Sequence, residues 1–380
     1  MNTVLDTVVI GGGAMGSAAA WALSRRGRHV TLVEQFGPGH KIGASHGTTR
    51  NLNPGYHRPE YVAMLAEGLA LWDELEQESG ETLLARTGVV NHGPDPRLPD
   101  IAEALTQAGI RAELLSPAEA GERWRGIRFD QQALHMPDGG QLNPEAALPA
   151  FQRLAAARGA EIRHHTKVVD LQVTDDGVRL GLESGAGIEV VTAAQVVVTA
   201  GGWTDKLLGP VFSNSTGTGL QIPRLRVTQE QPAHFRVADA GAVWPGFNHW
   251  PGTGADYQGW YSPVYGMETP GEGIKAGWHG VGPLVDPDRR SFQPEPRQLA
   301  ALQDYARTWL PGVDADSFEA ISCTYTTTPD EDFILDRIGP VVIGAGFSGH
   351  GFKFTPVIGR ILADLATGTR PAPEIFRASR

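Results

Sequence analysis

Short apolar runs alternate with longer amphipathic stretches along this chain. The runs without a polar face lie at 7–10, 30–33, 196–198 and 341–343. Such runs are typical of strands in a parallel sheet that helices cover on both sides. Apolar residues at helical spacing predict helices over 14–26, 61–80 and 355–366, with Gly27 placed to end the first of them.

Two other regions have an antiparallel pattern. Residues 168–198 alternate between apolar and polar side chains around a turn at 175–177, which predicts an antiparallel meander. Residues 222–282 are rich in Pro, Gly, Trp and Tyr and predict a separate antiparallel sheet, our candidate substrate domain. A length of 380 residues also favours two packed domains. The patterns together predict a mixed α/β fold.

A dinucleotide fingerprint connects the first strand to the first helix. Gly11, Gly13 and Gly16 form G-x-G-x-x-G, and Glu34 ends the next strand. The glycines permit a tight turn, close approach of backbone to a pyrophosphate, and close packing of helix on strand. An acid at the second strand's tip accepts ribose hydroxyls and repels a 2′-phosphate. At this point both FAD and NAD fit.

The charge, the cysteine count and the apolar runs of the chain argue against several kinds of partner and location. The formal net charge of −11 disfavours a nucleic acid partner, because such binding needs a surplus of Lys and Arg. One cysteine cannot form an intrachain disulfide. No signal peptide pattern and no apolar run of roughly 18 residues is found, so we expect a cytoplasmic protein that is not in a membrane. No metal site is predicted.

Three further stretches carry a resemblance to a known family. They are Ser-His-Gly-Thr-Thr-Arg at 45–50, Gly-Ile-Lys-Ala-Gly-Trp-His at 273–279, and a C-terminal block. That block reads Cys-Thr-Tyr-Thr-Thr-Thr-Pro-Asp at 323–330 and Gly-Ala-Gly-Phe-Ser-Gly-His-Gly-Phe-Lys-Phe at 344–354. In this order, the motifs resemble monomeric sarcosine oxidase and N-methyl amino acid oxidases, a branch of the D-amino acid oxidase-like flavoproteins.

The resemblance implies FAD as the cofactor and assigns residues around its ring. Cys323 occupies the position whose sulfur is joined to the flavin 8α-methyl carbon, so the flavin is expected to be covalent. Lys275 matches the lysine that helps oxygen react near flavin N5, where a fixed cation stabilises developing superoxide. His46 and Arg50 match the pair beside the ring. The remaining expected cofactor contacts are Gly11, Gly13, Ala14, Met15, Gly16, Glu34, Gln35, Ser45, Thr49, Val168, Gly201, Trp203, Gly346, Ser348, Gly349, His350, Gly351 and Lys353.

The resemblance also implies a substrate pocket. Lys353 matches the lysine that binds the substrate carboxylate, while His279 and Tyr325 match residues that line the pocket and count as catalytic candidates. Trp260 follows a loop that is longer than the family's and is a further candidate for the substrate pocket.

The chain departs from the family pattern at several positions. Asn53 stands where the sarcosine oxidases have a second arginine that clamps the carboxylate, and Thr48 replaces an acid. Asn248 and His249 stand where relatives carry apolar side chains. We therefore expect a larger or more polar substrate than sarcosine, a secondary amine or N-substituted amino acid. Lys353 would anchor it, and Asn248 or His249 would serve its other end.

The predicted organisation is a discontinuous Rossmann-like FAD-binding domain with a second domain built on an antiparallel β-sheet. The first comprises 1–85, 150–215 and 324–380, and the second comprises 86–149 and 216–323. We expect a monomeric oxidase that acts on a small-molecule amine and molecular oxygen and releases an imine and hydrogen peroxide. A flavin dehydrogenase with another electron acceptor, a non-catalytic flavin-binding sensor and a nicotinamide dehydrogenase are the alternatives.

Overall fold

The computed structural model describes residues 4–214, 222–252 and 260–380. Its strands are β1 (Val4–Ile10), β2 (Val30–Val33), β3 (Arg50–Leu52), β4 (Leu84–Ala85), β5 (Val89–His92), β6 (Glu113–Leu115), β7 (Ala133–Met136), β8 (Gly140–Leu142), β9 (Glu161–Arg163), β10 (Lys167–Thr174), β11 (Gly177–Ser184), β12 (Gly187–Val198), β13 (Arg226–Glu230), β14 (Ala233–Val237), β15 (Gly246–His249), β16 (Val264–Thr269), β17 (Gly273–Trp278), β18 (Val313–Ala320), β19 (Cys323–Thr327), β20 (Ile334–Ile338) and β21 (Val341–Ala345). Its α-helices are α1 (Ala14–Ser24), α2 (Pro59–Ser79), α3 (Leu98–Gln107), α4 (Pro117–Arg123), α5 (Pro144–Ala157), α6 (Thr204–Asn214), α7 (Pro296–Trp309) and α8 (Thr355–Thr367).

The first sheet has eight strands with a parallel centre. Its order is β10-β11-β12-β1-β2-β9, and β21 pairs with both β12 and β20. Ile10 is in register with Val33 on one side and with Val198 on the other, so these strands end at the same edge. The four apolar runs form β1, β2, the end of β12 and β21, which confirms their prediction as buried parallel strands.

Helix α1 is buried along its whole length between the sheet, α5 and α8. Small residues on both helices permit the close contact of α1 with α8. A Cβ on Gly359 of α8 would lie only 2.6 Å from the backbone of Ala18 in α1. The predicted helices over 14–26, 61–80 and 355–366 are confirmed as α1, α2 and α8. Gly27 and Gly80 follow α1 and α2 with φ of 72° each, as left-handed terminating residues.

Strands β10, β11 and the first part of β12 form the predicted antiparallel meander. The second sheet has the order β18-β14-β17-β16-β15-β5-β7-β6, in which only the contact of β15 with β5 is parallel. Residues 222–282 contribute four of its central strands, as predicted, and β18 adds an edge strand. The region 89–136, which the sequence prediction also assigned to the second domain, contributes three more, although no strands were predicted there.

Each face of the second sheet has its own character. One face packs on α7 and is apolar and aromatic, with Phe235, Phe247, Trp278 and Tyr305 in its core. The opposite face carries polar side chains and lies toward β3 of a small three-stranded sheet, β3-β8-β4. No helix in the described ranges is both long and apolar enough to cross a lipid bilayer. The expected longer loop before Trp260 lies at 253–259, outside the described residues.

Candidate active site and dinucleotide cleft

A cleft of about 930 Å³ runs along the edge at which the parallel strands end. At one end it is lined by the glycine-rich turn and Glu34, and at the other by Cys323 and Phe352. Seventeen of the expected cofactor residues line it: Gly11, Gly13, Ala14, Met15, Glu34, Gln35, Ser45, His46, Arg50, Val168, Gly201, Trp203, Cys323, Gly346, Ser348, Gly349 and Gly351. Gly16, Thr49, His350 and Lys353 lie behind this lining.

The glycine-rich turn leaves no room for side chains. Gly11 has φ of 99°, and a Cβ there would lie 2.6 Å from the carbonyl oxygen of Thr199. A Cβ on Gly16 would overlap with the carbonyl oxygen of Gly11. The hydroxyl of Ser45 accepts a hydrogen bond from the amide of Ala14 at the start of α1, 3.0 Å away. The turn therefore brings bare backbone and a helix N-terminus to the cleft.

Glu34 is held in place by the backbone around it. Its carboxylate accepts hydrogen bonds from the amide of Gly12 at 2.7 Å and from that of Phe36 at 2.9 Å. The side chain is buried yet lines the cleft. These bonds compensate for the burial of the acid and fix its position at the tip of β2.

Arg50 organises the segment that closes the other end of the cleft. Its guanidinium donates to the carbonyl oxygens of Ala44 and Thr49 at 2.8 Å each and also to that of His46. Burial and the charge of Arg50 lower the pKa of His46 to about 3. His46 is therefore a neutral imidazole, and its Nε2 has no hydrogen-bond partner in the described ranges.

Lys275 projects from β17 into a dry environment beside this segment. Its ammonium lies 3.4 Å from the carbonyl oxygen of Thr49. Burial, followed by the charge of Arg50, lowers the pKa of Lys275 to about 7, whereas nearby Glu272 acts to raise it. Lys275 can therefore exchange its proton near neutral pH.

Glu272 also has two partners that the sequence did not suggest. The hydroxyl of Thr48 donates to its carboxylate at 2.8 Å, and Nδ1 of His234 lies 3.1 Å from it. Thr48, noted above as a replacement for an acid, thus contacts an acid from another part of the chain. His234 is directly opposite Lys275 on the neighbouring strand.

Cys323 begins β19 and faces the cleft. Its sulfur lies 4.0 Å from the carbonyl oxygen of Ala44 and is partly exposed. The buried Arg290 stands close by, donating to the carbonyl of Ile42 at 2.6 Å and to the hydroxyl of Ser322 at 2.8 Å. Arg290 was not among the residues expected from the sequence.

Lys353 is also buried, apart from Lys275. Its ammonium donates to the hydroxyl of Tyr56 at 3.1 Å and to the carbonyl of His350 at 2.9 Å. Burial lowers its pKa to about 7. Within the described ranges no carboxylate pairs with it, so both of its partners are neutral.

His279 and Tyr325 stand together near Lys353. The hydroxyl of Tyr325 lies 3.5 Å from Nδ1 of His279. Burial and the charge of Lys353 lower the pKa of His279 to about 4, so its ring is neutral. Gly349 passes so close that a Cβ there would collide with the ring of Tyr325. Tyr265, which was not predicted, also interacts with Tyr325.

Comparison with known proteins shows which family this chain belongs to. A family model described as FAD dependent oxidoreductase matches residues 6–365. Monomeric sarcosine oxidase from a Bacillus species is 34% identical over 97% of this chain and 94% of its own length. The chain belongs to the FAD-dependent oxidoreductase family. N-methyl-L-tryptophan oxidase from Salmonella newport is 31% identical over 99% of this chain and 98% of its own length.

The mixed α/β fold expected of this family is confirmed. The open form of NikD, an unusual amino acid oxidase essential for nikkomycin biosynthesis, is 26% identical and matches with a TM-score of 0.82 over 99% of this chain and 97% of its own. The cleft also fits FAD as the family's cofactor. Bare backbone at the glycine turn suits a pyrophosphate, Glu34 suits a ribose, and the cleft continues to Cys323 and Arg50, where the ring would be held.

Two of the expected substrate residues do not face the site. Neighbouring strand residues point to opposite faces, so Asn248 lies on the polar face and His249 lies on the face covered by α7. The ring of His249 is bonded to the hydroxyl of Tyr305 at 2.8 Å. Trp260 packs on Trp278 and Tyr305 on that same side. The structure therefore places His249 and Trp260 on the side of α7, and the prediction that they contact substrate gains no support from their packing.

Asn53 and Asn248 retain positions compatible with their predictions. Asn53 accepts a hydrogen bond from the amide of Gly55 at 2.9 Å and so stabilises the turn after β3. Asn248 donates to the amide oxygen of Asn91 at 3.0 Å. Because the side chain of Asn53 is a neutral amide, position 53 does not supply a second cation for a substrate carboxylate.

Proposed function

We propose that this protein is an FAD-dependent oxidase of a secondary amine or N-substituted amino acid, with oxygen as the electron acceptor. The observation that carries the proposal is the environment of Lys353. A buried ammonium with only neutral oxygens as partners lacks the counter-charge that buried cations normally have. The carboxylate of an amino acid would supply it.

The neutral groups beside Lys353 suit an amine in its reactive form. Burial lowers the pKa values of His279 and His350 to about 4 and about 3, so neither ring adds positive charge near neutral pH. The same dry surroundings disfavour an ammonium and favour the neutral amine, whose lone pair is needed for oxidation. When bound, FAD accepts a hydride equivalent from the carbon next to that nitrogen and returns two electrons to oxygen. The resulting imine hydrolyses to an amine and an aldehyde or keto acid.

Lys275 is proposed to assist the oxygen step. The first electron transfer to oxygen creates a negative charge, and a fixed cation in a dry pocket stabilises that charge. With a pKa of about 7, Lys275 can also exchange a proton close to physiological pH. Arg50 holds the neighbouring segment in place through its carbonyl contacts.

Cys323 is proposed to form a thioether with the flavin 8α carbon. The sulfur lies in the cleft, within electrostatic reach of Arg290 and Lys275. Joining the thiol to the methyl group removes two electrons and two protons, which oxygen takes up as hydrogen peroxide. We also propose that the enzyme acts as a monomer in the cytoplasm, where its single cysteine is available for the flavin.

The test is to denature the purified holoenzyme in acid and then, with native protein, to follow flavin bleaching and peroxide across a panel of amines. We expect flavin in the pellet, and bleaching with peroxide for N-substituted amino acids. Flavin in the supernatant would exclude the Cys323 thioether. Bleaching without peroxide in air would favour the dehydrogenase, and no bleaching with any amine would exclude an amine oxidase.

A further inference from the structure

Two side-chain amides lie in a row across the polar face of the second sheet. Asn91 on β5 is directly opposite Asn248 on β15, which in turn is directly opposite Tyr265 on β16. Nδ2 of Asn248 donates to Oδ1 of Asn91 at 3.0 Å. We call Asn91 and Asn248 the carboxamide row.

The carboxamide row has hydrogen-bonding capacity that the protein does not use. Asn91 is 0% exposed, and its Nδ2 has no partner in the described ranges. Asn51, on the neighbouring β3, has neither amide atom bonded, although both are buried. Buried polar groups are nearly always hydrogen-bonded, so unpaired amides in one place indicate a missing polar partner.

The carboxamide row lies next to the site described above. A Cβ on Gly55 would collide with Nδ2 of Asn91, so the chain passes directly over that amide. The next residue, Tyr56, receives the hydrogen bond of Lys353. On the other side of the row, Tyr265 interacts with Tyr325. The carboxamide row therefore has the segment that contacts Lys353 on one side and the tyrosine that contacts Tyr325 on the other.

We propose that the carboxamide row binds a neutral polar substituent of the substrate, one that carries a hydroxyl or carboxamide group. This inference rests on the proposed amine oxidase function and names the substrate class. An apolar substituent would leave the amide of Asn91 unpaired. A cationic one would find no negative charge on Asn91 or Asn248, because both side chains are neutral amides.

Hydroxyl and carboxamide groups suit the row for a second reason. If the two amide atoms of Asn91 were exchanged, the unpaired atom would be an acceptor instead of a donor. A hydroxyl or a carboxamide can donate as well as accept, so it satisfies either arrangement. A carboxylate would accept only, and it is better served by Lys353.

The first test compares matched substrates in the wild-type holoenzyme. N-(2-hydroxyethyl)glycine and N-propylglycine have similar shapes, as do N-methylasparagine and N-methylleucine. We expect kcat/KM to favour the polar member of at least one pair by about tenfold or more, since a site with unpaired polar groups rejects analogues that lack the matching group. Ratios near one in both pairs, or a preference for the apolar members, would overturn the proposal.

The second test assigns the preference to these residues. In Asn91→Leu and Asn248→Leu the ratio within the preferred pair should fall toward one or reverse, whereas a merely structural role would lower both members equally. Flavin content and melting temperature show whether each variant folds, and if neither does, the wild-type ratios decide. If no amine in any pair reduces the flavin, the amine oxidase proposal itself has failed. Turnover of both pair members without preference overturns only the role of the row.

Discussion

The two buried lysines of the site have similarly lowered pKa values but different surroundings. Lys275 and Lys353 are 6% and 7% exposed, and burial is the largest cause that lowers each pKa to about 7. Lys275 lies within the field of Arg50 and Glu272, which act on its pKa in opposite directions. Lys353 is affected by burial alone and contacts two neutral oxygens.

The difference indicates how each lysine keeps its charge. Neighbours that belong to the protein act on the charge of Lys275 before any ligand binds, which suits it to a reaction that creates a negative charge. The charge of Lys353 depends on what enters the pocket, because an anion would raise its pKa and a neutral ligand would not. One lysine is thus suited to oxygen and the other to a carboxylate.

Replacing Lys275 should give the largest effect. In Lys275→Met, reoxidation of the reduced enzyme by oxygen should slow by about 10²–10³-fold, the usual cost of removing one group that stabilises a developing charge. Reduction by substrate should change much less. Stopped-flow measurement of the two half-reactions separates these steps.

Lys353→Met is the matched control for that experiment, since it removes the same charge from a pocket of similar burial. It should leave the oxygen step nearly intact. Equal slowing of reoxidation in both variants would show that the two lysines do not have separate roles.

Lys353→Met should itself lower kcat/KM for an amino acid substrate by about 10–100-fold, the range expected for losing a charge-assisted hydrogen bond. The corresponding substrate amide, which carries no carboxylate, should lose far less. Steady-state kinetics with an acid and its amide measures the difference. A similar loss for both compounds would argue against a carboxylate at Lys353.

The dinucleotide-binding part of the site could be predicted from sequence because its signals are local. The strand at 7–10, the glycines and Glu34 lie within one continuous stretch, and the structure places them as expected. Lys275 and Lys353 were found through motifs, but their surroundings were not. Glu272 meets Thr48 across 224 residues, and no local pattern indicates such a contact.

The substrate side was predicted less well for a related reason. Strand alternation implies that Asn248 and His249 face opposite sides of the sheet, yet only the position of α7 decides which side is the core. Asn91 meets Asn248 across 157 residues, through the parallel contact of β5 with β15. Both regions were assigned to the predicted second domain, but no sequence pattern indicated which of their strands would pair.

The pH dependence of ligand binding should sharpen the comparison further. For a carboxylate without an amine, such as propionate, affinity should be constant below pH 7, where Lys353 is already charged. Above pH 7 binding must take up a proton, so affinity should fall by up to about tenfold per pH unit. The pKa values of His279 and His350 lie well below this range, and burial raises that of Tyr56.

Flavin absorbance titrations from pH 6 to pH 9 measure this dependence, with Lys353→Met as the control that should lose it. Lys275 has a similar pKa, so Lys275→Met should retain the slope if the effect belongs to Lys353. A slope that survives in Lys353→Met but disappears in Lys275→Met would reverse the assignment.

The smallest effect is expected at Glu272. Its carboxylate acts to raise the pKa of Lys275, so Glu272→Gln should lower that pKa and reduce the charged fraction near pH 7. The side chain of Glu272 is 41% exposed and solvent screens it, so the oxygen step should slow by only about two- to threefold. The rate of the oxygen step should begin to decline with rising pH at a lower pH than in the wild type.

Glu268→Gln, on the same surface depression, is the matched control because Glu268 is not among the groups that act on Lys275. If both glutamine variants shift the pH profile equally, the protonation of Lys275 depends on the general negative charge of this surface. The specific position of Glu272 would then have no separate effect.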